Sequence, residues 1–298
     1  MLSKGIYMHN IGFAGLGIMG QPMSQNLWEK KRLHAVFNRS ASKAMAFAQR
    51  WPCQVAQTPA ELAASCEMVA CCVATPKALE DICLGPAGFL STAKANQIFV
   101  DFSTVSPSLS KRMATLFAQK GACFIDAPVT GSKPAAEAAT LLIMAGGEAH
   151  TLEKAKPLFE AVGKQVIHCW PSGAGSQMKL ASNLLVAQLT SALAEAFLAV
   201  KKSGLSPEKY LEVAMASSYA SAYIQYKGSS MLQGSPETHF SVQLMHKDVG
   251  LFIEDATANG AYTPGACAAY ASFQAALAQG FAEDDIGSVF KALQAGKP

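Results

Sequence analysis

Charge is scarce in this chain: only 15% of its 298 residues are Asp, Glu, Lys or Arg, where about a quarter is usual. So few charges leave much of a monomer's surface uncovered, and a homodimer or homotetramer with a buried interface is expected. Basic runs are missing as well. A net charge of +3 without clusters argues against nucleic acid as the main partner. Among the eight cysteines there is no C-x-x-C pair, and no His/Asp/Glu cluster has metal-ligand spacing. A zinc site and a disulfide scaffold are thereby excluded. Cysteines inside apolar runs such as Val69-Ala70-Cys71-Cys72-Val73 act as small core residues and fit a reducing cytoplasm. The first ten residues lack the apolar stretch of a secretory signal. The most membrane-like run, Leu184 to Val200, is broken by Gln188, Thr190, Ser191 and Glu195, so it reads as a core helix and no membrane partner is expected.

What is present is a glycine pattern in a telling place. The strand-like run Ile11-Gly12-Phe13-Ala14 meets Gly15-Leu16-Gly17-Ile18-Met19-Gly20, and Gln21 to Lys30 reads as the helix that follows. In such a G-x-G-x-x-G turn the first Gly allows the tight bend, the second lets backbone approach a pyrophosphate, and the third lets helix pack on strand. Free N–H groups and the positive dipole end of the helix then face the phosphates. A second strand near Leu33 to Phe37 completes the context, and a dinucleotide is the expected ligand.

Strands and helices alternate up to about residue 168. Strands are predicted at Asn10–Ala14, Ala35–Asn38, Met68–Val73, Ile98–Asp101, Cys123–Ala127, Leu141–Ala145 and Gln165–His168, with helices such as Ala41–Arg50, Pro59–Ser65 and Ser106–Lys120 between them. This alternation predicts a mostly parallel, doubly wound sheet. Beyond Trp170-Pro171-Ser172-Gly173 the pattern turns helical, with neither Gly nor Pro from Ser176 to Ser203. Ser206-Pro207 starts the next helix as N-cap and first helical residue. Breaks are expected at Gly228, Gly234-Ser235-Pro236, Gly260 and Thr263-Pro264-Gly265. The predicted fold is α/β: an N-terminal Rossmann domain (1–170), one long connecting helix, and an all-α domain for substrate and dimerisation (171–298).

The end of the second strand discriminates between dinucleotides. NAD-preferring domains carry an acidic residue there for the ribose hydroxyls, but this chain reads Phe37-Asn38-Arg39-Ser40. Arg39 offers a fork of donors and a permanent charge suited to a 2′-phosphate, with neutral hydrogen bonds from Asn38 and Ser40. NADP(H) is therefore expected over NAD(H); the plainer reading makes Arg39 a solvated arginine and Ser40 a helix cap.

Three later segments carry chemistry. Val100-Asp101-Phe102-Ser103-Thr104-Val105-Ser106-Pro107 sets hydroxyls at a strand's carboxyl end, with helix capping as the alternative role. Asp126-Ala127-Pro128-Val129-Thr130-Gly131-Ser132-Lys133 opens into a small-residue turn, either a carboxylate-sized nest of donors or merely a turn. In Ser176 to Asn183, Lys179 and Asn183 are i,i+4 neighbours on one helix face. Their apolar surroundings leave Lys179 either facing a cavity or at the surface.

Taken together, these motifs resemble the β-hydroxyacid dehydrogenases, which include 3-hydroxyisobutyrate dehydrogenases, tartronate semialdehyde reductases and glyoxylate/succinic semialdehyde reductases. The resemblance rests on Gly12 to Met23, Asp101 to Pro107, Asp126 to Ser132, Lys179 with Asn183, and Lys247-Asp248, in order over nearly the whole chain. It implies Lys179 as catalytic acid/base, Asn183 as the residue that orients substrate, and Thr130, Gly131 and Ser132 as the carboxylate site. Cofactor contacts are implied at Gly15 to Gly20, Asn38 to Ser40, Val73, Ala74, Thr75, Thr104 and Lys247. Gly131-Ser132-Lys133-Pro134-Ala135 is most similar to the glyoxylate/succinic semialdehyde branch, and Asn38-Arg39-Ser40 to its NADPH-type segment. Departures are Thr130 for the usual Ser, Ala139 for a common Gly, and Ala74-Thr75-Pro76, which lacks an acidic or Asn residue before proline. The implied reaction is reduction of a small carboxylate-bearing aldehyde to the hydroxy acid. A catalytically silent dinucleotide-binding scaffold is the competing class.

Overall fold

A computed structural model describes residues 10–234 and 237–296. The chain divides into two compact units, Met1–Lys179 and Leu180–Pro298. The division falls inside the long helix Ala174–Lys202, where the sequence reading put the boundary ahead of that helix.

The first unit is built on six parallel strands: β1 (Ile11–Ala14), β2 (Leu33–Phe37), β3 (Gln54–Val55), β4 (Met68–Cys71), β5 (Ile98–Asp101) and β6 (Cys123–Asp126). Their spatial order is β3-β2-β1-β4-β5-β6, so the chain reverses direction across the sheet between β1 and β4. Because helices cover both faces, the strands are apolar throughout rather than alternating. Ile11, Phe13, Met68, Ala70, Ile98 and Val100 pack on one side with Met23, Leu27, Leu158 and Phe159. Ala14, Val69, Cys71 and Phe99 pack on the other with Leu62, Leu79, Met113 and Phe117. All eight cysteines are free, and burial pushes the Cys72 thiol up to about 12.

One expectation needs correcting. Leu141–Ala145 and Gly163–His168 do not extend the parallel sheet. They form a separate three-stranded sheet as β8 and β9, with a two-residue β7 (Val129–Thr130) antiparallel to β8. Pro128 explains the break: it comes two residues after the end of β6, just past the last ladder amide of Ala127, and has no N–H to continue the pairing.

The second unit is helical. After the connecting helix come Pro207–Ala216, Ala222–Gln233, Val242–Ala258, Pro264–Ala278 and Val289–Gln294. They pack around Phe197, Val242, Met245, Val249, Phe273, Val289 and Phe290. Ser206 caps its helix by accepting from the Lys209 amide, with Pro207 in the first turn. Gly228 is not a break but lies buried within Ala222–Gln233, where a Cβ would stand 2.7 Å from Leu211 Cδ1. Helix–helix proximity, not chain reversal, requires that glycine. Ser235 and Pro236 lie outside the described residues.

Candidate active site

Four expected cofactor segments follow four strands that are neighbours in space. Gly15–Gly20 follows β1, Asn38–Ser40 follows β2, Val73–Thr75 follows β4, and Thr104 follows β5. The reversal between β1 and β4 lies among them, the place where open α/β sheets take ligands.

The glycine turn is built for close approach. Gly15 has φ +93°, and a Cβ there would collide with the Cys72 carbonyl. Gly17 differs: a Cβ would meet nothing within 4 Å, so the backbone there faces open space that a diphosphate can fill. Asn38 secures the turn, its Oδ1 accepting from the Leu16 amide at 2.9 Å and its Nδ2 donating to the Ser40 carbonyl at 3.1 Å. Arg39 is exposed beside it. Ser40 heads the next helix without a side-chain cap; its hydroxyl shares a 2.9 Å hydrogen bond with Ser42. Thr75 uses its hydroxyl to cap the helix Pro76–Leu84, accepting from the Ala78 amide. Ser106 likewise caps Pro107–Ala118.

Two aspartates that residue-by-residue reading passed over stand at the ends of β5 and β6. Asp101 and Asp126 are register partners, and both are fully buried. Asp101 Oδ1 accepts from the Ser103 amide at 2.9 Å, and Ser103 Oγ accepts from the Val73 amide at 2.9 Å. The carboxylate thus ties the segment after β5 to the one after β4. Burial raises the Asp101 carboxyl to about 6, against the Ser103 and Cys71 hydrogen bonds that lower it, and neighbouring Asp126 adds to the rise. Burial raises Asp126 to about 6 as well, opposed by the Gly173 and Ser176 amides. The available signal was an acid closing each of two apolar strands.

Thr130, Gly131 and Ser132 form the junction between β7 and the short helix Ser132–Glu137. Gly131 and Ser132 both have positive φ, and both are exposed with Thr130 half-buried. Lys179 and Asn183 lie on the long helix at 9% and 4% exposure. They belong to a buried stripe of Ser176, Leu180, Ala187, Thr190 and Ala194, which repeats on the helical period. Asn183 Nδ2 donates to Asp248 Oδ2 at 2.6 Å, and Lys247 Nζ stands 2.7 Å from Asp248 Oδ1. Buried Asp248 therefore fixes the Asn183 amide and holds Asn183 and Lys247 of the second unit together.

Residues 10–170 match the model of the NAD binding domain of 6-phosphogluconate dehydrogenase, and residues 173–293 match that of NAD-binding of NADP-dependent 3-hydroxyisobutyrate dehydrogenase. 2-(Hydroxymethyl)glutarate dehydrogenase of Eubacterium barkeri is 35% identical over 283 residues, covering 94% of this chain and 93% of that one. The chain belongs to the β-hydroxyacid dehydrogenase family. As a β-hydroxyacid dehydrogenase it is an NAD(P)-dependent oxidoreductase. Within the family, chloroplastic glyoxylate/succinic semialdehyde reductase 2 of Arabidopsis thaliana is 31% identical, covering 97% of this chain and 80% of that protein. Among solved structures, Mycobacterium tuberculosis 3-hydroxyisobutyrate dehydrogenase with L-serine superposes with a TM-score of 0.86 at 29% identity, over 96% of this chain and 99% of that one.

Proposed function

We propose that this β-hydroxyacid dehydrogenase uses NADPH to reduce a small aldehyde acid, such as succinic semialdehyde or glyoxylate, to the hydroxy acid. The observation that carries the reading is Lys179: a lysine 9% exposed on the buried stripe of an apolar helix, one turn from Asn183. An ammonium there can both complement a negative charge growing on a carbonyl oxygen and give up a proton to it.

When bound, a reduced nicotinamide supplies the hydride. Lys179 stabilises the negative charge that grows on the aldehyde oxygen and donates its proton there. Aldehyde, hydride and proton sum to the primary alcohol, and the lysine regains its proton from solvent. Asn183, its amide fixed by Asp248, orients the reacting group. The Thr130 and Ser132 hydroxyls and the Gly131 amide hold the substrate carboxylate, and Arg39 holds the 2′-phosphate that marks NADPH. The Arabidopsis relative's name supports the substrate class.

A second reading, activity of the 3-hydroxyisobutyrate dehydrogenase or tartronate semialdehyde reductase kind, is favoured by the Mycobacterium neighbour, a 3-hydroxyisobutyrate dehydrogenase. Following absorbance at 340 nm with NADPH and NADH against a panel of C2–C4 aldehyde acids decides between them. Highest kcat/KM with NADPH and succinic semialdehyde or glyoxylate is expected. Preference for a branched or hydroxylated acid supports the second reading, and no turnover of any member sinks both in favour of a silent scaffold.

A further inference from the structure

We infer that Asp126 is a positioning residue that sets the turn of the long helix carrying Lys179. The inference rests on the reading of Lys179 as proton donor. A helix start leaves amides without intrahelical partners, which a local side chain usually satisfies. Here the residue ahead of the first helical position is Gly173, which has no side chain to offer. The duty passes to Asp126, nearly fifty residues earlier at the end of β6. Its Oδ1 accepts from the Gly173 amide at 2.7 Å, and its Oδ2 from the Ser176 amide at 2.9 Å. One carboxylate thus grips two amides three residues apart, fixing both the height and the rotation of the first turn, and its charge suits the positive helix end.

The surroundings are shaped for this grip. A Cβ on Gly146 would stand 2.6 Å from Asp126 Oδ1 and 2.9 Å from the Gly175 amide, so only glycine leaves the carboxylate room. Ser110 adds a second pin, its hydroxyl sharing a 2.9 Å hydrogen bond with the Ser176 hydroxyl. Lys179 follows Ser176 by three residues, a rise of about 4.5 Å on a rigid helix. Displacing the first turn therefore displaces the lysine, and a misplacement of about 1 Å costs on the order of 100-fold in rate. The carboxylate that holds the helix belongs to the same sheet whose neighbouring strand end carries Ser103 and Thr104.

Asp126→Asn keeps one acceptor and turns an NH2 toward the other amide. Expected are a fall in kcat of about tenfold or more, an NADPH Kd within about threefold of wild type, and a KM for the aldehyde acid that moves little. In the cofactor-free protein, acetylation of Lys179 followed by mass spectrometry should run several-fold faster. In a Lys179→Ala background, Asp126→Asn should cost almost nothing more, because the two act as one unit. Equal losses in both backgrounds, or unchanged kcat and unchanged Lys179 reactivity, overturn the inference. If Asp126→Asn fails to fold, Asp126→Ser, which leaves space for a bridging water, runs the same cycle. A fully active Lys179→Ala enzyme would instead sink the donor reading, while faster acetylation in Asp126→Asn would still show that Asp126 holds the helix.

Discussion

At the scale of one residue, the proposed preference for NADPH rests on Arg39. It is exposed at the end of β2, where a carboxylate would otherwise receive ribose hydroxyls. Arg39→Ala removes the only charge offered to a 2′-phosphate in that segment. The ratio of kcat/KM with NADPH to that with NADH should fall by about 10-fold to 100-fold, on the order of 1.4–3 kcal/mol; an unchanged ratio would leave the preference to other groups. The glycine turn was legible because its requirements are local: strand, bend and helix start lie within ten residues. Lys179 by its own surroundings read only as an oddity, a cation among apolar neighbours, and its role was implied by the family resemblance alone. Asp101 and Asp126 stayed hidden because an acid after an apolar strand looks like any loop start until its partners come into place. Those of Asp126 lie 47 and 50 positions downstream.

Among elements, the helical unit shows how much one buried carboxylate can organise. Asp285 accepts from Lys227 Nζ at 2.6 Å, the Gly287 amide at 2.9 Å and the His239 amide at 3.3 Å. It joins the helix Ala222–Gln233 to the approach of Val242–Ala258 and to the turn before Val289–Gln294. Asp285→Ala orphans three donors, one of them a buried ammonium, and should cost about 3–5 kcal/mol. Lys227→Met leaves Asp285 its two amides and should cost clearly less, and urea unfolding of the two variants checks the order. Equal losses would mean that the ion pair alone matters. Long elements with strong periodicity were readable, among them the helix Ala174–Lys202, whose span was foreseen to within two residues. Two-residue strands such as β3 and β7 carry no period to read. Gly228 misled because tertiary packing against Leu211, not local turn chemistry, put a glycine there.

For the molecule as a whole, the pair Asp101 and Asp126 makes a stability cost that depends on pH. Both carboxyls titrate at about 6 in the folded chain, against an ordinary 3.8. Between about pH 4 and pH 6 the folded state therefore holds more protons than the unfolded one, and stability falls as pH rises through that window. Fully buried Asp101 contributes up to about 3 kcal/mol of this fall. Asp101→Asn removes that contribution, so the difference in unfolding free energy between pH 4.5 and pH 7 should shift upward by about 1–3 kcal/mol relative to wild type. Parallel curves would show that Asp101 is ionised alike in both states. The alternation of strand and helix announced the doubly wound sheet, but not that the last strands leave it for a second sheet, because Pro128 acts through a ladder invisible in the chain.

The central claim is that Lys179 delivers the proton as hydride reaches the aldehyde. Stopped-flow single turnovers at 340 nm, with enzyme saturated by NADPH and mixed with glyoxylate or succinic semialdehyde, compare wild type with Lys179→Ala directly. A hydride-transfer rate lower by about 100-fold or more, at an unchanged NADPH Kd, is the predicted result. A rate within a few-fold of wild type would contradict it.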